Sequence, residues 1–317
     1  MEFFLGQNLI GLINNKTVKI EDSNLETALL NRTISNYSDD ILFIGNYAFY
    51  HCIHLKSINL PQVTTIGKNA FNSCKQLTTL NLPKATTIGQ GAFYMCTSLI
   101  SINLPEVITI NSQAFYNCSY LISASIPKVT YIGSLAFNSC RRLVSIDLPE
   151  VITIDTSAFG YCSSLASISI PKVTNIGSYV FYYCSKLISV NLPETTLIKS
   201  DAFTYCMSLT LISLPKVTNI SSYAFYSCYS LASISLPKIT SIGNYAFRSC
   251  YHLVSFNLAS VSSVPTLGGT SVFYSTPIGG YSASAGQYGS VYVPASLYSS
   301  FITAQYWSLI SSRIVSV

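Results

Sequence analysis

The chain has 317 residues, of which 17 are Lys or Arg and 12 are Asp or Glu, giving a net charge of +5. Only 9% are charged, against about 25% in an average protein, so Ser, Thr, Asn and Tyr must cover the surface. Two classes are thereby excluded: the cations after Asp201 (Lys216, Lys238, Arg248, Arg313) are too sparse to track nucleic-acid phosphates, and no run approaches the ~18 apolar residues of a membrane span.

The first ten residues are apolar but carry no Lys or Arg and no small-residue cleavage site, which argues against a secretory leader. With neither leader nor span, the chain reads as cytoplasmic, released by another route, or presented without a cleaved leader, as a virion component would be. Residues 1–40 hold six acids (Glu2, Glu21, Asp22, Glu26, Asp39, Asp40) against three bases (Lys16, Lys19, Arg32). A helix-like stretch runs from Asn24 to Asn31, and Asp39 stands where the next coil has Pro61. This segment lacks the periodicity of residues 41–258 and reads as an N-terminal cap.

Residues 41–258 are periodic. Cys52, Cys74, Cys96, Cys118, Cys140, Cys162, Cys184, Cys206, Cys228 and Cys250 are each 22 residues from the next. A fixed period without insertion means a solenoid, each repeat one coil stacked on the last. One coil reads Leu55-x-x-Ile58-x-Leu60-Pro61-x-Val63-x-x-Ile66-Gly67-x-x-Ala70-Phe71-x-x-Cys74. Ile58 and Leu60 share one face of a short strand, and Pro61, lacking an N–H, marks its exit. Gly67 and its equivalents are expected to supply the positive φ of a turn. Ala70 to Cys74 fits one short helical or 3-10 turn. Leu55, Ile58, Leu60, Val63, Ile66, Ala70, Phe71 and Cys74 are the predicted core.

A second period underlies the first. The residue after Pro runs Lys84, Glu106, Lys128, Glu150, Lys172, Glu194, Lys216, Lys238, alternating in sign through Lys216. The glycine column alternates in step (Gly89, Asn111, Gly133, Asp155, Gly177, Lys199), so the unit of duplication is 44 residues. Mutual neutralisation that sets coil register explains the charges better than a binding stripe does.

From Ala259 the phase is lost. Val272-Phe273 is a displaced echo of Ala-Phe, followed by a Gly- and Ser-rich loop through Gly289 and a last strand at Val291–Val293. Leu297, Phe301, Trp307, Ile310 and Ile314 are placed to cover the open end as one or two amphipathic helices. Residues 259–317 therefore read as a degenerate repeat and C-terminal cap.

The pattern L-x-x-I-x-L-P…I-G-x-x-A-F-x-x-C over residues 41–258 resembles the BspA-like, Treponema-type leucine-rich repeat. The family repeat is usually one residue longer, the difference falling between Pro and Ile. The resemblance implies an α/β leucine-rich-repeat solenoid of about ten coils. It also implies a bacterial, protozoan or phage-encoded surface protein that binds other proteins or host matrix, with no catalytic residues. The Val-Pro and Trp-containing tail is similar to the ends of repeat proteins from gut bacteria and their phages.

Candidate chemistry is sparse. The cysteine ladder reads as buried, reduced thiols acting as small hydrophobes. Disulfides in twos would break a column that shows no alternation, and no Cys-x-x-Cys converges ligands on a metal. In His51-Cys52-Ile53-His54 the Cys points inward while both His fall on the surface. With three His and no phosphate loop, neither an enzyme nor a cofactor is expected.

The 23 tyrosines are the informative residues. They flank Ala-Phe-x-x-Cys, in columns that mix Tyr with Ser and Asn, the chemistry of paratopes. Tyr116, Tyr120, Tyr161, Tyr179, Tyr182, Tyr183, Tyr205, Tyr223, Tyr226 and Tyr229 are the binding candidates, for a protein or glycan ligand. Two other readings stand beside this one. The tyrosines could merely cover hydrophobic flanks of the turns, and the array could be a structural spacer or tail component of a phage particle.

Overall fold

The computed structural model describes residues 42–280 and 288–317, together with the backbone of three N-terminal strands, Ile10–Ile13, Lys16–Lys19 and Thr33–Ile34. The predicted helix at Asn24–Asn31 and residues 281–287 of the Gly/Ser-rich loop lie outside the described residues. The chain divides into two compact units, residues 1–148 and 149–317. Each is a stack of coils joined by parallel strands, the solenoid expected from the period and the leucine-rich-repeat architecture that the resemblance implies.

In unit 1 each coil meets the next on three sides. Ser57–Asn59 pairs in parallel with Thr79–Asn81, residue 57 opposite 79. Thr65–Ile66 pairs with Thr87–Ile88. On the third side the amides of Asn69, Phe71 and Ser73 donate to the carbonyls of Gln90, Ala92 and Tyr94, at 2.8, 2.7 and 2.7 Å. The intervening amides of Asn72 and Cys74 close 3-10-type bonds to Asn69 and Phe71, both at 3.2 Å. The expected short turn is therefore a run of linked turns whose alternate amides face the neighbouring coil.

These turns need two left-handed residues per coil. In unit 1 they include Asn69 (φ 52°), Ser73 (61°), Gln113 (59°) and Leu135 (59°). The predicted glycine column is not among them: Gly67, Gly89 and Gly133 have no positive φ. The reason for glycine there is close approach between coils. A Cβ on Gly89 would stand 2.6 Å from the Gly67 carbonyl carbon, and one on Gly133 2.6 Å from the Ser112 nitrogen. Asn111 occupies the same column and its side-chain amide donates to the Ile88 carbonyl at 2.9 Å.

The eight predicted core positions from Leu55 to Cys74 are all buried. The phenylalanines stack face to face along unit 1, with centroids 4.9 Å apart at Phe49–Phe71 and 5.2 Å at Phe71–Phe93 and Phe93–Phe115. That spacing is the strand separation itself, so one ring per coil builds a continuous apolar column.

Unit 2 repeats the design from Pro149 and extends it. Ser189–Asn191 pairs with Leu211–Ser213, and Asn219–Ile220 with Ser241–Ile242. Beyond Ala259 the sequence loses phase but the coil persists. Thr266–Leu267 still pairs with Ser241–Ile242, and Phe247 N–H still donates to Val272 O (3.1 Å). Thr276 takes the cysteine position, its hydroxyl donating to the Phe273 carbonyl at 2.7 Å. Two more rungs complete the stack: Ser290–Val293 on Ser255–Asn257, then Ile314–Ser316 on Val291–Val293. Ile314 thus opens a strand rather than lying on a helix. The helices between are short, Tyr298–Thr303 and the 3-10 segment Trp307–Arg313. They bring Phe301 and Trp307, both fully buried, against the column, with Trp307 5.9 Å from Phe273 and its indole N–H donating to Pro265 O at 2.7 Å.

Gly133→Ala should destabilise unit 1 by about 1–3 kcal/mol in urea unfolding, because the clash is with backbone that cannot swing away. Deleting residues 290–317 should uncover the phenylalanine column and an unpaired strand edge, giving aggregation in light scattering; a soluble monomeric deletion would refute this.

Candidate recognition surface

The cysteine ladder is interior. The ten thiols are free, and all but Cys52 are buried. In unit 1 the Cys74, Cys96 and Cys118 thiols donate to the phenylalanine carbonyl one coil back at 3.1–3.2 Å. Cys184, Cys206, Cys228 and Cys250 do the same in unit 2 at 3.2 Å. Burial pushes the Cys52 thiol up to about 11, and Cys96, Cys118, Cys184 and Cys228 well beyond the ordinary range. Such thiols are neither nucleophiles nor metal ligands. His51 and His54 are exposed, as expected, and Cys52 is half-buried. Among the described residues no group of three His, Cys, Asp or Glu is placed to hold a metal, and no helix is long and apolar enough to cross a membrane.

The charged column closes into pairs: Lys128 on Glu106 (2.7 Å) in unit 1, Lys172 on Glu150 (2.7 Å) and Lys216 on Glu194 (2.6 Å) in unit 2. Each pair is about half exposed, so each contributes ~0–1 kcal/mol. Coil register therefore rests on the backbone ladders, and neutralisation adds little to it.

The ten candidate tyrosines fall into separate groups. Tyr116 and Tyr120 lie in unit 1, the first stacked on Tyr94 at 4.8 Å and the second under Arg142 at 4.5 Å. Tyr229 pairs with Tyr251 (5.1 Å), and its carbonyl contacts His252 Nδ1. The other seven form one connected network in unit 2. Tyr182 touches Tyr161 (5.3 Å), Tyr179 (5.7 Å), Tyr183 (6.0 Å) and Tyr205 (5.9 Å). Tyr205 continues to Tyr226 (5.6 Å), and Tyr226 to Tyr223 (5.9 Å). Tyr223 stacks on Tyr245 at 4.8 Å, and Arg248 lies beyond. Neither Tyr245 nor Arg248 is among the ten candidates. Tyr245 flanks the repeat like the others, whereas Arg248 stands in a column that mixes Tyr50, Tyr94, Tyr116, Tyr182 and Tyr226 with Asn72, Asn138, Gly160 and Thr204.

Backbone conformation fixes these rings. Tyr161, Tyr179, Tyr183, Tyr205 and Tyr223 occupy the left-handed turn positions, with φ between 58° and 61°. Their amides donate to the next coil, as in Tyr161 to Tyr182 O (2.7 Å) and Tyr183 to Thr204 O (2.9 Å). The rings then project outward, Tyr161 45%, Tyr179 42% and Tyr183 38% exposed.

The hydroxyls are also engaged. Tyr161 and Tyr182 share a hydrogen bond, as do Tyr205 and Tyr226. Burial raises the Tyr182 and Tyr205 phenols, while the negative charge of Asp201 raises Tyr179. Asp201 is itself pushed up by burial, against hydrogen bonds from Thr204 (3.3 Å) and Tyr179. Neutral hydroxyls on fixed rings can stack on a ligand and hydrogen-bond it, but they offer no nucleophile or general base at neutral pH.

The profile of the BspA type leucine rich repeat region, in six copies, matches residues 19–128, 42–166 and 152–278. The chain belongs to the BspA-type leucine-rich-repeat family. Leucine-rich repeats are, as a class, protein-binding modules and typically non-catalytic. No curated protein sequence matches the chain. Among solved structures, a leucine-rich repeat protein of Bacteroides ovatus is 22% identical over 100% of both chains, with TM-score 0.43. A leucine-rich cell surface protein of Faecalibacterium prausnitzii is 26% identical over 71% of this chain and 78% of that one, with TM-score 0.42. The leucine-rich repeat protein of T. pallidum is 26% identical over 63% of this chain and 76% of that one, with TM-score 0.35.

The thiol ladder predicts a pH response. A folded thiol pKa raised above its ordinary 9.0 stabilises fully below pH 9, and that stabilisation is lost as the pH rises further. Stability should fall by about 1.4 kcal/mol per pH unit for each buried thiol above pH 9, measured as urea midpoints from pH 7 to 11. A thiol reagent at pH 8 should find at most Cys52 in the folded chain and all 10 cysteines after denaturation.

Proposed function

We propose that this BspA-type protein is a non-catalytic recognition and adhesion module whose ligand, a protein or glycan, docks on the tyrosine face of unit 2. One observation carries the reading. Bulky tyrosines occupy left-handed turn positions at Tyr161, Tyr179, Tyr183, Tyr205 and Tyr223, a conformation costing an ordinary residue about 1–2 kcal/mol. Surface cover does not require it, because Asn69, Ser157 and Ser227 fill the same columns elsewhere. Tyrosine there gives a rigid, amphipathic contact area that loses little entropy on binding.

Pulldown and biolayer measurements against matrix proteins, mucin and bacterial surface glycans test the reading. Changing Tyr179, Tyr182 and Tyr183 together to Ser should weaken the captured ligand at least tenfold while leaving thermal unfolding nearly unchanged. A folded variant that binds as well as the parent would leave the array as a spacer.

A further inference from the structure

The tyrosine network ends on a single cation. Arg248 follows Phe247 in the coil, at the position held by Tyr182 and Tyr226 in earlier coils and by Tyr274 in the next. Coil-to-coil bonds stack these residues: Ser227 N–H donates to Arg248 O and Ser249 N–H to Tyr274 O, both at 2.9 Å. The guanidinium carbon consequently lies 4.8 Å from the Tyr274 ring centroid and 6.0 Å from that of Tyr226. Tyr245, one turn earlier, adds a third ring at 5.4 Å. That ring is held by its stack on Tyr223 and by an Asn244 side chain that accepts from the Tyr245 amide at 3.1 Å.

No carboxylate answers this charge. No Asp or Glu follows Asp201 in the sequence, and Arg248 makes no ion pair among the described residues. Its Nε is buried with no hydrogen-bond partner, a state no other side-chain nitrogen or oxygen among the described residues shares. Cation–π attraction uses the delocalised charge and leaves the N–H donors idle. A guanidinium fork with idle donors, fixed between rings and partly open to solvent, matches the two oxygens of a carboxylate. Buried polar groups without partners call for a missing one.

We propose that Arg248, with Tyr226, Tyr245 and Tyr274, forms a subsite for the carboxylate of an acidic sugar, a uronic or sialic acid unit of the ligand. This rests on the tyrosine face being a recognition surface and names what its Arg248 end takes. The charge count favours a sugar over an acidic peptide. Lys216, paired with Glu194, and Lys238 belong to the column that follows the strand-exit prolines, and Arg313 lies in the C-terminal segment over Tyr288 at 3.9 Å, so none of them stands in the turn column of Arg248. One isolated cation among rings and hydroxyls suits one carboxylate on an otherwise neutral, hydroxyl-rich ring. The tyrosine faces offer apolar surface to the sugar C–H groups while their hydroxyls meet its hydroxyls.

The Nε–Hε resonance of Arg248 in the 15N-labelled full chain, assigned by its loss in Arg248→Lys, reads the subsite directly. The probes are methyl glucuronoside, its neutral counterpart methyl glucoside, and N-acetylglutamate, all at constant ionic strength. The glucuronoside should shift the resonance saturably, the glucoside should not, and N-acetylglutamate should need at least tenfold higher concentration. By calorimetry, Arg248→Lys and Arg248→Gln should each weaken glucuronoside binding at least tenfold, with circular dichroism unchanged. Absence of a saturable shift would overturn the subsite, and an equal response to N-acetylglutamate would overturn its assignment to a sugar. The Tyr179, Tyr182 and Tyr183 to Ser variant should leave this titration intact. If the titration fails while that variant still loses the captured ligand, only the subsite falls. If that variant keeps the ligand, the recognition surface itself falls.

Discussion

Each coil satisfies much of its backbone only through its neighbours, and the rest of the structure depends on that. Amides on three sides of a coil donate to carbonyls of the coil before or after it, so a coil alone would leave its strands and half of its turn amides unpaired. Stacking must therefore be repetitive and close, near the ~5 Å separation of paired strands, and one ring per coil must fit that spacing. The phenylalanine centroids at 4.9–5.2 Å in unit 1 are the direct consequence. So is glycine at Gly89 and Gly133, where successive coils leave no room for a Cβ. Surface ion pairs at Glu106, Glu150 and Glu194 sit on top of this frame and do not create it.

The same constraint produces the surface. To face alternate amides toward the neighbour, the turn takes two left-handed residues per coil, and any side chain placed there projects outward. Unit 1 fills those positions with a mixture that includes Asn69, Ser73 and Leu135; unit 2 uses tyrosine repeatedly. Rings anchored on consecutive coils then come within 5.3–5.9 Å of one another and make a continuous aromatic face. At Thr276 a hydroxyl replaces the thiol and donates to the Phe273 carbonyl of its own coil, whereas the thiols donate to the phenylalanine carbonyl one coil back. Recognition chemistry is confined to positions that the stack does not specify.

How much was legible depended on whether a residue's role repeats. The inward positions Leu55 to Cys74 recur as apolar residues in nearly every coil, Thr195 in the Val63 column being an exception, so period and hydrophobicity locate all of them. The left-handed positions recur in geometry but not in residue type, since Tyr, Asn, Ser, Gln, Leu and Met all occupy them. Propensity therefore directs positive φ to the glycine column, where the real reason for glycine is proximity. Among the tyrosines, column membership marks all ten candidates alike. The grouping that joins Tyr161, Tyr182 and Tyr226 and leaves Tyr116, Tyr120 and Tyr229 apart comes from which coil and which turn carries each ring. Arg248 carries no signal in the sequence beyond being a sparse cation.

The sequence by itself determined the solenoid, the coil length, the inside of each coil and the inert character of the cysteines. All of these result from a 22-residue period that puts like residues above like. Tertiary structure alone decided the left-handed turns, the close approach at the glycines, the final strand that begins at Ile314, and the tyrosine network ending on an unpaired guanidinium. These depend on distances between residues of different coils. A period gives the order in which coils succeed one another, but not which atoms meet when they stack.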